Sequence, residues 1–186
     1  MQGNSEQPAA PGSRNTDQEA LDFIRSVFGL VRSGDHESLS QLVNKALPVN
    51  FRNEKGDSLI MLASYYGHLD TCRVLLEAGA DSNVPNDQGQ TPLAGAAYKG
   101  FTDIAELLLA HGAAVDGASP DGKTPLMMAA MFNRCEVLEL LLSHGAALDA
   151  HDSRGMSARA LASTMGAAGT LALLTPESRA LTNSSS

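Results

Sequence analysis

The chain is poor in the residues that mark several specialised protein classes. It has two cysteines in 186 residues, too few for the disulfide framework of a small secreted protein. Neither Cys72 nor Cys135 lies in a CxxC pair or at a metal-binding spacing from a histidine, so no zinc site is expected. The cysteine content therefore predicts a reducing compartment, the cytoplasm.

Basic charge and long apolar runs are also scarce. Lys and Arg number 13 against 21 Asp and Glu, which gives a formal net charge of −8. A surface with this balance neutralises phosphates poorly, so neither nucleic acid nor an anionic membrane is an expected partner. No apolar run approaches the ~18 residues of a membrane span, and the polar start lacks the apolar core of a secretory leader. We therefore expect neither export nor membrane anchoring.

What the sequence does contain is a repeat of 33 residues. The full repeats span 53–85, 86–118 and 119–151. The spacing is kept without insertion by three tracks: Gly56, Gly89, Gly122 and Gly155; Gly79, Gly112 and Gly145; Asn50, Asn83, Asp116 and Asp149. A fixed period of this length indicates a repeat fold, in which each unit is one small supersecondary motif.

Each repeat predicts two short helices. A tip glycine precedes Thr91-Pro92 or Thr124-Pro125, where the hydroxyl can cap a helix and proline fits its first turn. A mid-repeat glycine, Gly67 or Gly100, separates this helix from a second, leucine-rich one, which ends at a glycine able to adopt the left-handed conformation. Because so small a helix pair cannot bury its apolar face alone, stability must come from stacking of neighbouring repeats.

These units resemble the ankyrin repeat. The elements G-x-T-P-L-x-x-A-A, G-H and L-L-x-x-G-A-D stand at matching positions. The resemblance implies an all-α solenoid of stacked helix–turn–helix units with hairpin tips, and a concave face that binds another protein. We predict a repeat domain over 17–175, with an N-terminal cap over 17–52 that starts in an amphipathic helix and a C-terminal cap over 152–175. Residues 1–16 and 176–186 are predicted to be disordered tails.

One position departs from the family pattern. The histidine that usually follows Thr-Pro-Leu, and bonds to the neighbouring loop, is replaced by Met61, Ala94, Met127 and Ala160. We therefore expect those cross-repeat hydrogen bonds to be absent. Methionine is a flexible gap-filler, so the stack is expected to be less stable than one of consensus repeats.

The segment Gly117–Thr124 matches the phosphate-loop pattern G-x-x-x-x-G-K-[ST]. A working phosphate loop follows a buried strand, and no hydrophobic strand precedes Gly117. The same positions one repeat earlier hold Gly89 and Thr91, so we interpret Gly122 and Thr124 as tip glycine and helix cap. A nucleotide-binding enzyme that uses this segment remains an alternative. No nucleophile paired with a base and no cofactor motif appears elsewhere, so we predict a protein without enzymatic activity or cofactor.

A candidate contact surface comes from the two positions that precede each mid-repeat break. In the full repeats the positions are Tyr65, Tyr66, Tyr98, Lys99, Met131 and Phe132, and in the C-terminal cap they are Thr164 and Met165. All three tyrosines of the chain fall there, although aromatic residues make up only 4% of the sequence. Large aromatic side chains are enriched as anchors of protein interfaces, which favours a contact surface. The other interpretation is that these rings pack between repeats.

Polar residues of mixed charge occupy the predicted tips beside this surface. They include Lys55, Asp57, Gln88, Gln90, Asp121 and Lys123. An aromatic centre with a mixed polar rim is the anatomy of a specific protein interface. We therefore predict a monomeric adaptor, inhibitor or accessory protein that binds a protein partner, whose identity the sequence leaves open. A structural module that associates with a second copy of itself is the remaining alternative.

Overall fold

The computed structural model describes residues 13–175, and within them the chain forms ten α-helices and no strand. The helices are α1 Ser13–Ser33, α2 His36–Val43, α3 Leu59–Tyr66, α4 Leu69–Glu77, α5 Pro92–Lys99, α6 Thr102–Ala110, α7 Pro125–Met131, α8 Cys135–Ser143, α9 Ala158–Met165 and α10 Ala168–Leu173. This confirms the all-α stack of helix pairs. Of the predicted tails, residues 1–12 and 176–186 lie outside the described part, whereas α1 begins at Ser13, four residues before the predicted start of the N-terminal cap.

The first helix of each repeat begins at a hydroxyl cap. The side-chain oxygens of Ser58, Thr91, Thr124 and Ser157 each accept a hydrogen bond from the backbone N–H three residues later. Proline follows the cap in α5 and α7, where its missing N–H costs nothing. The Thr-Pro pairs therefore start helices where the sequence predicted them.

The helices stack in two rows. Helices α3, α5, α7 and α9 pack side by side as the inner row, α4, α6, α8 and α10 form the outer row, and α1 and α2 extend the two rows at the N-terminal end. The core repeats with the sequence: Ala63, Ala96, Ala129 and Ala162 are fully buried in the inner row, and Leu75, Leu108 and Leu141 in the outer row. Small residues in the inner row allow neighbouring helices to approach closely.

The Asn/Asp track joins one repeat to the next. Asn83 donates through Nδ2 to the carbonyl of Gly112 (2.8 Å) and accepts through Oδ1 from the N–H of Ala114 (2.7 Å). Asn50 bonds the following repeat in the same way, and Asp116 accepts from Ala147 N–H at 2.9 Å. These bonds satisfy backbone groups just after α4, α6 and α8, where orphan donors and acceptors would otherwise face solvent.

The third repeat ends its first helix differently from its neighbours. Gly67 and Gly100 terminate α3 and α5 in the left-handed conformation, but the equivalent residue after α7 is Asn133, with φ 56°. Asparagine tolerates this region better than other side chains. Its Oδ1 accepts a hydrogen bond from Thr170 N–H (3.0 Å), and the neighbouring Gly169 leaves room for its amide. The substitution therefore ties the last helix to the third repeat.

Candidate interaction groove

A groove of about 460 Å³ lies between the tips and the inner helices. We call it the central groove. Among the residues that line it are Lys55, Asp57, Gln88 and Gln90 from two tips and Tyr65, Tyr66 and Tyr98 from α3 and α5. The structure thus places four of the predicted tip residues and all three tyrosines around one concave surface.

An asparagine at the base of each of the first two tips sets their geometry. Asn53 Oδ1 accepts from the backbone N–H groups of Lys55 and Asp57, both at 2.9 Å. Asn86 Oδ1 does the same for Gln88 and Gln90, at 3.1 and 3.0 Å. A turn closed by hydrogen bonds from backbone N–H groups to an asparagine side chain fixes the conformation of the tip backbone. They place the side chains of both tips at the groove.

The tips are also bonded to each other. The N–H of Asp87 donates to the carbonyl of Lys55 (3.1 Å), and Asn86 Nδ2 donates to Asp57 Oδ1 (2.9 Å). Asp57 also accepts from Asn53 Nδ2 at 3.1 Å. The Asp57 carboxylate is therefore held by two neutral amides. Its place in the groove is fixed by both neighbouring tips.

The aromatic residues form one continuous ladder across three repeats. We call Tyr66, Tyr65, Tyr98 and Phe132 the aromatic ladder. The ring centroids of Tyr65 lie 5.6 Å from Tyr66 and 6.5 Å from Tyr98, and Tyr98 meets Phe132 edge-on at 4.4 Å. These distances are in or near the range of favourable aromatic pairs. The side chains of the aromatic ladder therefore both pack between repeats and lie at the surface of the molecule.

Exposure differs along the ladder and its neighbours. Tyr65 and Tyr66 are 40% and 47% exposed, whereas Tyr98 and Phe132 are half-buried. Lys99 does not line the central groove, but its ammonium lies 4.3 Å from the Tyr65 centroid and 5.6 Å from that of Tyr98, at cation–π distance. Met131 is half-buried against the core. The accessible part of the predicted surface is thus centred on Tyr65 and Tyr66.

Two further grooves continue the central one. The C-terminal groove, about 300 Å³, is lined by the predicted Asp121 and Lys123 and shares Gln88 and Gln90 with the central groove. The N-terminal groove, about 550 Å³, lies between α1 and the first tip. It shares Lys55, Asp57, Leu62 and Tyr66 with the central groove. The concave surface therefore runs from α1 to the third tip.

Sequence reasoning missed the part of this surface that α1 provides. The residues concerned are Leu21, Ile24, Arg25, Phe28 and Arg32. A signal was present, because α1 carries more apolar residues than one buried stripe needs. Leu21 and Phe23 are 51% and 45% exposed. An apolar excess of this kind on a capping helix indicates a surface with a further role.

The phosphate-loop-like segment forms the third tip. Gly122 N–H donates to the carbonyl of Ser119 (2.7 Å), Ser119 N–H donates to that of Lys123 (3.1 Å), and Thr124 caps α7. The Lys123 ammonium is paired with Asp121. Within residues 13–175 no strand precedes the segment. The N–H groups of Ser119 and Gly122 and the Lys123 ammonium are thus engaged within the tip, and Gly122 and Thr124 are tip glycine and helix cap as the repeat interpretation predicted.

The pairing in the third tip predicts an unusual titration. Hydrogen bonds from Lys123 and then Ser119 lower the pKa of Asp121 to about 2. This value lies below the ~3.9 of an unfolded chain. The ionised carboxylate therefore favours the fold above about pH 4, and that contribution is lost as the pH falls towards 2. We expect Lys123→Gln to raise the Asp121 pKa towards its ordinary value, measured by carboxyl carbon NMR.

The matched control for this titration is Lys45→Gln, at an exposed lysine outside the grooves. It removes the same charge and is expected to leave the Asp121 pKa where it is. An Asp121 pKa that stays low in Lys123→Gln would refute the pairing.

The remaining side chains that could react or bind a metal ion are either buried in the core or too far apart to form a site. Both cysteines are free thiols, and burial raises the pKa of Cys72 to about 12, which keeps it protonated and unreactive at neutral pH. Among residues 13–175 no three His, Cys, Asp or Glu side chains are grouped closely enough to hold a metal ion. None of the helices in this part of the chain is long and apolar enough to cross a membrane.

Family models of known proteins match the part of the chain that contains the 33-residue repeat. A family model described as ankyrin repeats in three copies matches residues 28–118, and a model described as ankyrin repeat matches residues 121–153. A curated protein of Pseudomonas aeruginosa, named "Putative ankyrin repeat protein PA3287", is 55% identical over 58 residues. The matched segment covers 31% of this chain and 34% of that relative, so it spans about a third of the relative's length.

Proposed function

Because the chain belongs to the ankyrin repeat family, we propose that it is a non-enzymatic module that binds another protein in its three joined grooves. Ankyrin repeats are generally protein–protein interaction modules. The observation that carries the proposal is the central groove, where two exposed tyrosines lie among polar tip residues. An adaptor, an inhibitor and an accessory protein would each use such a surface.

The composition of the groove supports a protein ligand. Exposed aromatic rings with Met61, Leu62 and Met128 form its apolar part, and tip amides and charges form its rim. Protein interfaces commonly combine an aromatic centre with a polar rim. The ionisable groups that line the central groove are Lys55, Asp57 and the tyrosines. This set contains neither a thiol nor an imidazole, and Asp57 is already bonded to two amides.

The surface is also held in place before a partner arrives. Tip backbones are bonded through Asp87 N–H to Lys55 O and Ser153 N–H to Asp121 O (2.9 Å). Tyr65 is held between Tyr66, Tyr98 and the Lys99 ammonium. A preformed surface loses little conformational entropy on binding, which favours affinity. Rigid presentation of the groove is therefore the proposed mechanism.

A capture experiment with Tyr65→Ala/Tyr66→Ala tests the proposal. The wild-type chain and the variant are immobilised and exposed to a lysate of the cells that produce the chain. We expect a protein captured by wild type to bind the variant at least ~30-fold more weakly, since central aromatic anchors contribute about 2 kcal/mol or more. The affinity is then measured by titration with the purified partner.

The control variant is Lys45→Ala/Arg73→Ala, which shortens two exposed side chains outside the grooves. It is expected to capture the same protein as wild type. Thermal unfolding of all three chains checks that they are folded. Equal capture by the three folded chains would remove the groove as the binding surface.

A further inference from the structure

The N-terminal groove has a charge balance opposite to that of the chain. Four of the 13 basic residues line it, namely Arg25, Arg32, Arg52 and Lys55. Only two of the 21 acidic residues do, Glu54 and Asp57. In a chain with a net charge of −8, this groove is a local concentration of positive charge.

Two of these cations have no carboxylate partner in the described part of the chain. Within residues 13–175, Arg32 and Lys55 lie in no ion pair. Arg25 pairs with Asp22 at 3.1 Å and Arg52 with Asp87 at 3.3 Å, and the four side chains of these pairs are between 44% and 70% exposed. Exposed pairs of this kind are weak and do not prevent a cation from meeting another anion. The positive charge of the groove is therefore open to a ligand.

The same groove has an apolar floor. Edges of the core residues Phe28 and Leu62 line it, with Ile24 beside them. Leu21 and Tyr66 remain about half exposed at its sides. The Arg32 guanidinium lies 5.8 Å from the Phe28 ring. A ligand that fills this groove must offer apolar side chains as well as negative charge.

Acidic residues on the outer helices make that face unfavourable for a negatively charged ligand. Four of the five outer helices, all but α10, carry an exposed acidic residue in the first turn: Glu37, Asp70, Asp103 and Glu136. These residues complement the helix dipoles, and they also make the outer face repel anions. The N-terminal groove is the part of the concave surface where an anionic segment meets complementary charge.

We propose that the N-terminal groove binds an acidic segment of a protein partner, in which apolar side chains alternate with Asp or Glu. The inference rests on the proposed function, which it deepens by stating the chemistry of the partner. Apolar side chains would contact Leu21, Ile24 and Tyr66. The carboxylates would meet Arg25, Arg32 and Lys55. Arg52 is also a structural residue, since it donates to the carbonyls of Gly56 and Pro85, both at 2.9 Å.

A library of random peptides, selected on the full chain at low salt, tests this inference. We expect the selected peptides to be enriched in Asp or Glu together with Leu, Ile or Phe. The most enriched peptide is then labelled with fluorescein and titrated against Arg25→Gln/Arg32→Gln/Lys55→Gln. Its affinity should fall about tenfold, because each exposed charge contact contributes a few-fold, and this difference should shrink as salt is raised.

The matched control is Lys45→Gln/Arg73→Gln/Arg159→Gln. These three residues are exposed and none lines the three grooves, so the net charge changes equally. The control is expected to bind the peptide as wild type does. An equal loss in both triple variants would mean that only net charge matters, and would overturn the inference. Selection of peptides without acidic residues would also overturn it.

Other outcomes separate this inference from the proposed function. Neutral peptides that lose binding in Tyr65→Ala/Tyr66→Ala would leave the function standing and overturn the acidic ligand. If no peptide and no lysate protein prefers wild type over that variant, both fall. Self-association seen by sedimentation and abolished by the basic-groove triple variant would assign the groove to a second copy. Binding of a DNA duplex lost in the same variant would assign it to nucleic acid. Either of these last two results overturns the inference.

Discussion

Leu126→Ala is expected to lower the free energy of unfolding by about 2–5 kcal/mol. Leu126 is fully buried at the start of α7, which packs against α5, α8 and α9. Truncation removes apolar contacts and leaves a cavity that neighbouring helices fill only in part. The loss is measured by urea unfolding followed by circular dichroism at equilibrium.

The position of Leu126 makes its effect larger than that of one ordinary core residue. Each repeat contacts only its neighbours, so a weakened central interface uncouples the two ends of the stack. We therefore expect the unfolding transition to broaden as well as to shift. Leu21→Ala is the control, because Leu21 is 51% exposed on α1, and it should cost no more than about 0.5 kcal/mol. Similar losses at both positions would contradict the stacked core.

Gly89→Ala is expected to cost about 2–4 kcal/mol of stability. Gly89 lies in the second tip with φ +75°, a conformation that alanine adopts only with strain. An added Cβ would also lie 2.1 Å from Cδ of Pro120 in the third tip. Because the proline ring cannot rotate away, the tips themselves must separate. The change is measured by the same urea unfolding.

Gly112→Ala separates the two causes of that cost. Gly112 has a similar φ of +82°, but an added Cβ there would meet no atom within 4 Å. Only the backbone strain applies, so the expected loss is about 1 kcal/mol. The difference between the two variants measures the packing of tip against tip. Equal losses would show that the second and third tips are further apart than the structure has them.

Much of the fold could be predicted from the sequence because its signals are local and repeated. Thr91 and Thr124 predict where helices begin, because a hydroxyl cap followed by proline favours a helix start. The glycine tracks predict where the helices end. The period then repeats each signal in phase, which makes each helix pair predictable from its neighbour. The exception at Asn133 was not predicted, since its left-handed conformation is supported by a bond to Thr170 in the next repeat.

The candidate site could be predicted only in part. The period predicts which residues lie at the tips and at the ends of the inner helices, so Lys55, Gln88 and Tyr66, which line the central groove, could be named as candidates. Whether a ring is exposed depends on how neighbouring repeats are rotated against each other, which no single repeat encodes. Tyr98 and Phe132, which lie in neighbouring repeats, are half-buried and pack edge-on against each other. The contribution of α1 lay outside the period altogether, so its arginines had no repeated equivalent to point to them.

The aromatic ladder gives this protein a built-in optical reporter. The sequence contains no tryptophan, and all three tyrosines lie in the ladder and line the central groove. Tyrosine emission and the near-ultraviolet tyrosine signal of the whole chain therefore originate at one surface. A ligand without tyrosine or tryptophan that enters the groove changes this signal directly. Its binding can be followed by tyrosine emission on the unlabelled native protein.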